Sequence, residues 1–370
     1  MTFSVNAFDP MEVGDLTIPN RIVMAPMTRS RAEGPGLATR LMARYYAQRA
    51  SAGLIVTEGI QPSIVGQGYP STPGLHTGEQ VQSWRTVTDA VHAAGGRIYA
   101  QLLHCGRIGH PDLLLDGLIP VAPSAVAAKG GVYTPQGMKD FVTPRALSAR
   151  EVEETVGDYA AAAANAIDAG FDGVEVHGAN GYLVHQFLCA ATNRRQDQWG
   201  GSIPNRVRFA VEVIGAIAES IGAHRTALRI SPGNPFNDMD EPTPAATYFT
   251  LAECLRPLGI AYLHIVEVGD RALTGALRTR FRGPVMLNPH TAPAPTGPAE
   301  LTLIADEVAD MISYGALFLA NPDLPRRLAA GGPFNVADRH TFYGGGARGY
   351  TDYPRLDDTS SDDHELETCR

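Results

Sequence analysis

The sequence predicts an α/β fold, a single (β/α)8 TIM barrel, on three observations. Eight short apolar runs alternate with amphipathic stretches from Asn20 onward. The runs mostly lack strict polar–apolar alternation, and no change of composition separates one repeat from the next. Runs rich in Val, Ile and Leu without alternation are what strands buried on both faces require. Eight of them joined by helical stretches close as a parallel barrel.

The strand runs are residues 21–27, 54–59, 97–104, 173–178, 226–232, 261–267, 283–288 and 310–320. Between them, Val152, Val156, Tyr159, Ala163 and Ile167 share one helical face behind the capping box Ser148-Ala149-Arg150-Glu151. A second face holds Val207, Ala210, Val211, Ile214, Ile217, Ala218 and Ile221, with Pro204 near the helix start. A third holds Val81, Trp84, Val87 and Val91. Asn321-Pro322 reads as the N-cap and first residue of the last helix. An N-terminal hairpin is expected to cap the barrel. The glycine- and proline-rich residues 105–147 form a long loop after strand three, either a lid over the mouth or a solvated loop.

The main rival is a doubly wound sheet. It calls for a glycine-rich phosphate turn after the first strand, and Met27-Thr28-Arg29-Ser30 is not one. Gly344-Gly345-Gly346-Ala347-Arg348-Gly349 matches G-x-G-x-x-G literally, but only 21 residues follow it, too few for a βαβ unit. It reads as a flexible turn.

Composition narrows the partners. The 370 residues are 44% hydrophobic, enough for a large core, and carry a net charge of −9 from 30 basic and 39 acidic residues. That balance argues against nucleic acid or an anionic membrane surface. No apolar run approaches the roughly 20 residues needed to cross a bilayer, and the N-terminus has no leader-like pattern. Residues 357–370 read as a disordered acidic tail on a single domain spanning 1–356. Cys105, Cys189, Cys254 and Cys369 lie far apart without metal-ligand spacing, as expected of reduced thiols in a cytoplasmic protein. Homo-oligomerisation stays open.

A barrel places its chemistry at the carboxyl ends of its strands. Those ends carry Pro26 and Thr28, Gly59, Gln101, His177 with Asn180 and Tyr182, and Arg229. The set is rich in hydrogen-bond donors, with no metal cluster and no Ser or Cys nucleophile beside a base. His177 and Asn180 are three apart and meet on one side if the chain turns helically there. Two such donors can grip one carbonyl oxygen and stabilise charge developing on it. Tyr182 can then protonate a neighbouring carbon. Each of these residues alone is also compatible with simple packing.

The motifs Asn20-Arg21-Ile22-Val23-Met24-Ala25-Pro26-Met27-Thr28-Arg29, Gln101-Leu102-Leu103-His104-Cys105-Gly106-Arg107, His177-x-x-Asn180-x-Tyr182 followed by His185-Gln186-Phe187-Leu188, and Ala320-Asn321-Pro322-Asp323-Leu324 resemble those of the old yellow enzyme family over about residues 6 to 356. The resemblance implies non-covalent FMN, NAD(P)H as reductant, and reduction of the activated C=C of an α,β-unsaturated carbonyl compound in a ping-pong cycle. It assigns Pro26, Thr28, Gly59, Gln101, Arg229 and Gly315 to the cofactor, with Thr28 at the flavin O4, Gln101 at the pyrimidine edge and Arg229 against N1/O2. It gives His177 and Asn180 the substrate carbonyl, Tyr182 the α-carbon proton, and Tyr69 and Tyr343 the walls of the substrate pocket.

The likeness breaks at strands seven and eight. The family carries a glycine pair and a Gly-Arg pair there for the FMN phosphate. This chain has Asn288-Pro289 and Gly315-Ala316. Proline brings no amide donor, and a lost guanidinium costs about 1.5–3 kcal/mol. His290, Arg271 or Arg278 is then expected to supply the missing charge. The alternative is a barrel with weakened or lost FMN binding that performs redox-neutral acid–base work on a carbonyl substrate, as an isomerase, dehydratase or cyclase. A non-catalytic binder of small molecules is a third reading.

Overall fold

The computed structural model describes residues 5–357, and among them eight parallel strands close into one barrel. They are β1 (Ile22–Met24), β2 (Leu54–Ile60), β3 (Ile98–Leu102), β4 (Gly173–Gly178), β5 (Thr226–Ile230), β6 (Tyr262–Val266), β7 (Val285–Asn288) and β8 (Met311–Tyr314). Each pairs with the next, and β8 pairs back onto β1. Every residue of β1 to β5 is buried, which is why those runs show no alternation. The eighth run divides: past Gly315 the residues Ala316–Ala320 turn into a helix. A continuous apolar run suits a buried strand and a buried helix equally, so its length misled.

The helices are α1 (Arg40–Ala47), α2 (Gly78–Ala93), α3 (Ala149–Asp168), α4 (Leu183–Leu188), α5 (Ile203–Ile221), α6 (Ala245–Leu255), α7 (Arg271–Phe281), α8 (Thr302–Ala305), α9 (Ala316–Ala320) and α10 (Leu324–Ala330). The expected capping box of α3 forms, with the Glu151 amide donating to Ser148 Oγ at 3.3 Å and the Ser148 amide donating to Glu151 Oε2 at 2.8 Å. The Val81–Val91 face of α2 and the Val207–Ile217 face of α5 turn inward as their periodicity requires. Asn321-Pro322, however, does not open the last helix. Asn321 is buried, donating to the Leu317 and Asn335 carbonyls and accepting from the Asn335 amide, while α10 starts at Leu324 with Pro325 in its first turn. A nearby asparagine and proline satisfied the same local rule one turn early.

One end of the barrel is closed. The hairpin Met11–Val13/Leu16–Ile18 buries Val13 and Ile18 against Val23, Leu54, Tyr99, Tyr262 and Met311. At the other end, the segment after β3 contains an antiparallel hairpin, Gly131–Thr134 with Gly137–Asp140. Gly344 and Gly345 take left-handed conformations in a turn, with no βαβ unit around them. Among the described residues no helix is long and apolar enough to cross a membrane. The expected acidic tail, apart from Asp357, lies outside the described residues.

Candidate active site

The carboxyl ends of the strands surround a cavity of about 350 Å³. Pro26 and Thr28 enter it after β1, Gly59 from β2, Gln101 from β3 and Arg229 from β5. His177, Asn180 and Tyr182 enter from the end of β4, and Gly315 from the end of β8. Tyr343 forms part of the wall at the rim. A second cavity of about 370 Å³ shares Thr28, Tyr182, Phe236 and Tyr343 with the first and adds Tyr69 and residues 131–133 of the hairpin after β3. That hairpin therefore covers the mouth. All eleven residues expected at the site line one or both cavities.

The β4 turn is not helical. Asn180 has φ +56 and Gly181 φ +77, and α4 begins only at Leu183. Asparagine tolerates this left-handed region better than other side chains with a Cβ. The turn is held from three sides: the Asn180 amide donates to Ser231 Oγ at 2.8 Å, Asn237 Nδ2 donates to the Asn180 carbonyl at 2.8 Å, and the Gly181 amide donates to His185 Nδ1 at 2.9 Å. Asn234 Nδ2 donates to Asn180 Oδ1 at 2.9 Å, which leaves the Asn180 Nδ2 as the donor available to the cavity.

His177 is presented as a neutral donor. The Ala179 amide donates to its Nδ1 at 3.3 Å, so the ring proton sits on Nε2. Burial, then the Arg229 charge, hold its pKa well below the usual histidine value. Tyr182 packs edge-on to His177 with ring centres 5.0 Å apart, and its hydroxyl lies 2.9 Å from that of Tyr69. Burial, followed by the Tyr69 phenol, raises the Tyr182 pKa well above that of free tyrosine, so it carries its proton at neutral pH.

On the two strands that flank β4, β3 and β5, lie Gln101 and Arg229. Gln101 Nε2 donates to Glu175 Oε1 at 2.8 Å, and its Oε1 is left as an acceptor. Arg229 is 6% exposed and makes a long 3.4 Å contact from Nη2 to Asn288 Oδ1, while its buried Nε has no partner. An orphaned guanidinium donor beside an amide acceptor fits the pyrimidine edge of a flavin, whose reduced form is anionic there. Gly59 is imposed by packing, since a Cβ would come within 2.3 Å of Leu103 Cδ2.

The phosphate end fits less well. Past β8 the wall is Gly315, Ala316 and Leu319, and among the described residues the only Arg or Lys side chains lining the cavity are Arg29 and Arg229. Arg29 is spent: it donates to Tyr45 Oη and to the carbonyls of Phe342 and Gly349, pinning the segment that carries Tyr343. Of the three groups expected to compensate, the two arginines are engaged elsewhere. Arg271 pairs with Glu267 and Arg278 with Asp310. The His290 amide also donates to Glu267, and none of the three lines the cavity. Asn288, where the motif departs, instead ties Arg229 to β8 through its own donation to the Ser313 carbonyl.

Sequence reasoning missed Ser231, Asn234 and Asn237, which aim the β4 turn, and Phe236 on the rim. They lie in the Gly-, Pro- and Asn-rich stretch 231–241 after β5. The length and composition of that stretch were the available signal, the same one that marked the loop after strand three.

Residues 6–335 match the model of the NADH:flavin oxidoreductase / NADH oxidase family. A Leishmania infantum protein described as a probable flavin mononucleotide-dependent alkene reductase is 42% identical over 355 residues, covering 93% of this chain and 96% of its own length. The 12-oxophytodienoate reductase 1 of Oryza sativa subsp. japonica is 39% identical over 361 residues, 94% of this chain and 93% of its own. Among solved structures, morphinone reductase superposes with a TM-score of 0.91 at 42% identity, covering 97% of this chain and 99% of its own. The old yellow enzyme homologue of Zymomonas mobilis gives 0.91 at 40% identity, covering 95% and 100%.

Proposed function

The chain belongs to the NADH:flavin oxidoreductase / NADH oxidase family, the old yellow enzymes, and from that premise we propose that Tyr182, His177 and Asn180 are its catalytic residues. The protein is an FMN-dependent ene-reductase that uses NAD(P)H to reduce the activated C=C of an α,β-unsaturated carbonyl compound. When bound, FMN supplies the redox chemistry, accepting hydride from NAD(P)H and returning it to the substrate β-carbon.

Thr28, Gln101 and Arg229 hold the flavin ring, with Pro26, Gly59 and Gly315 as close backbone walls. His177 Nε2 and Asn180 Nδ2 converge on the substrate carbonyl oxygen and polarise it, and being neutral they do so without adding charge to the pocket. Tyr182 delivers its phenolic proton to the α-carbon. Tyr69 supports that phenol, and Tyr343 walls the substrate side. The observation that carries this reading is the pairing of a neutral His177 donor with a protonated Tyr182 in one cavity with Gln101 and Arg229. It favours reduction over redox-neutral work, which has no use for the flavin-edge pair.

Residues 1–356 act as one domain in this reading. A cytoplasmic location suits the free, buried thiols of Cys105 and Cys189, and a homo-oligomer is compatible with it. The test is the visible spectrum of the purified protein. A flavin band bleached by anaerobic NADPH and restored by an enone supports the proposal. A colourless protein that rearranges a carbonyl substrate without NADPH overturns it.

A further inference from the structure

Inside the barrel, below the cavity, a carboxylate sits where no function has been given to it. Glu175 on β4 is 0% exposed, as are His264 on β6 and Ser313 on β8. The four side chains form one hydrogen-bonded row across the barrel interior. Gln101 Nε2 donates to Glu175 Oε1 at 2.8 Å, His264 Nδ1 lies 2.9 Å from Glu175 Oε2, and His264 Nε2 lies 2.9 Å from Ser313 Oγ.

A carboxylate in such a place is strongly destabilising unless it is paired and hydrogen-bonded. Burial opposes its charge, yet His264 and then the Arg229 charge outweigh burial and hold Glu175 below the usual carboxylate range. An ionised Glu175 accepts on both oxygens, which fixes the protons of its neighbours. His264 carries a proton on Nδ1, burial holds its pKa below the usual histidine value, and its Nε2 faces the Ser313 hydroxyl. Gln101 must turn its amide nitrogen inward and its carbonyl oxygen to the cavity. The register places Glu175 directly beside Gln101, and His264 directly beside Arg229.

We propose that Glu175 is a positioning residue for the flavin site: its buried charge fixes Gln101 with the acceptor facing the cavity and offsets part of the Arg229 field at the pyrimidine edge. The inference rests on the ene-reductase reading, and it assigns a second, negative determinant of the flavin potential opposite the cationic one. A row whose only work is to fill the barrel interior would hold the strands together and leave the bound flavin unaffected.

Glu175→Gln separates charge from shape. The amide oxygen still accepts from Gln101, and His264 can adopt the other tautomer to face the new amide, so the row survives while the charge is lost. In the FMN-loaded protein, the midpoint potential should rise, because Arg229 then stabilises the anionic reduced ring unopposed. FMN affinity should change by no more than about threefold, since no hydrogen bond to the cavity is removed. Glu175→Asp, which keeps the charge, should return the potential towards that of the parent and guards against a Gln variant that fails to fold. An unchanged potential in folded Glu175→Gln, or an equal rise in Glu175→Asp, overturns the proposal. Failure of the unsubstituted protein to bind FMN overturns the functional reading itself, and the two failures are thereby distinguishable.

Discussion

The phenol oxygens of Tyr69 and Tyr182 lie 2.9 Å apart, and the Tyr182 ring meets His177 edge-on. This places the proton donor against the carbonyl-polarising group on one side and a second hydroxyl on the other. When Tyr182 gives up its proton, Tyr69 can donate to the oxygen left behind. Tyr69→Phe removes that donation and should slow enone reduction by about tenfold, the worth of one hydrogen bond to a developing charge. Stopped-flow mixing of the reduced protein with enone measures it, and an unchanged rate would show that Tyr69 serves only as a wall.

Asn234 occupies the side-chain oxygen of Asn180, which turns the Asn180 amide nitrogen to the cavity, where the proposed function needs a donor. Asn234→Asp replaces a donor by a charged acceptor, so the Asn180 amide should turn its nitrogen away from the cavity. We expect KM for the enone to rise roughly ten- to a hundredfold, with reduction of the flavin by NAD(P)H much less affected. Steady-state kinetics with an Asn234→Ala control checks this. An equal effect in both variants would mean that loop disorder, and not amide orientation, is responsible.

Ala316 leaves the phosphate end of the cavity without a cation. Ala316→Arg should tighten FMN by up to about 3 kcal/mol, while riboflavin, which lacks the phosphate, should gain almost nothing. Titration by fluorescence quenching compares the two ligands in the two proteins. An equal gain for riboflavin would mean that position 316 does not face the phosphate.

His104, just past β3, is buried with its Nε2 unpartnered, and burial depresses its pKa to about 4. Between that value and the ordinary histidine value, the unfolded chain takes up a proton that the folded protein refuses. The stability this group contributes is therefore complete above about pH 6.5 and is lost as pH falls towards 4, amounting to roughly 2–3 kcal/mol by pH 4.5. Denaturant melts of the parent and His104→Gln at pH 7 and pH 4.5 isolate the effect, because other titrating groups such as Glu58 cancel in the difference. A cost of substitution that is the same at both pH values would refute it.

The strands were legible because burial on both faces demands continuous apolar runs, and the site residues because a barrel must expose polar groups at strand ends. Capping boxes and helical faces followed from local rules. The boundary at Gly315 did not, since Ala316 to Ala320 are apolar in either conformation. The spacing of His177 and Asn180 brings them together if the β4 turn is helical, whereas the left-handed turn that forms depends on Ser231 and Asn237 from the β5 loop. Glu175 passes without notice in the sequence, a polar residue inside the β4 run; only closure of the barrel brings His264 and Ser313 within reach of it. What sequence hides here is contact across the barrel, which no local spacing encodes.

Whether Tyr182 supplies the α-carbon proton in a flavin-dependent reduction is read from the two half-reactions of Tyr182→Phe. The phenol acts only after hydride has reached the substrate, so stopped-flow should show flavin reduction by NAD(P)H proceeding at nearly the parent rate. Reoxidation by enone should slow by a factor of about a hundred or more, as loss of a positioned general acid entails. Equal slowing of both half-reactions, or none of either, would contradict the account.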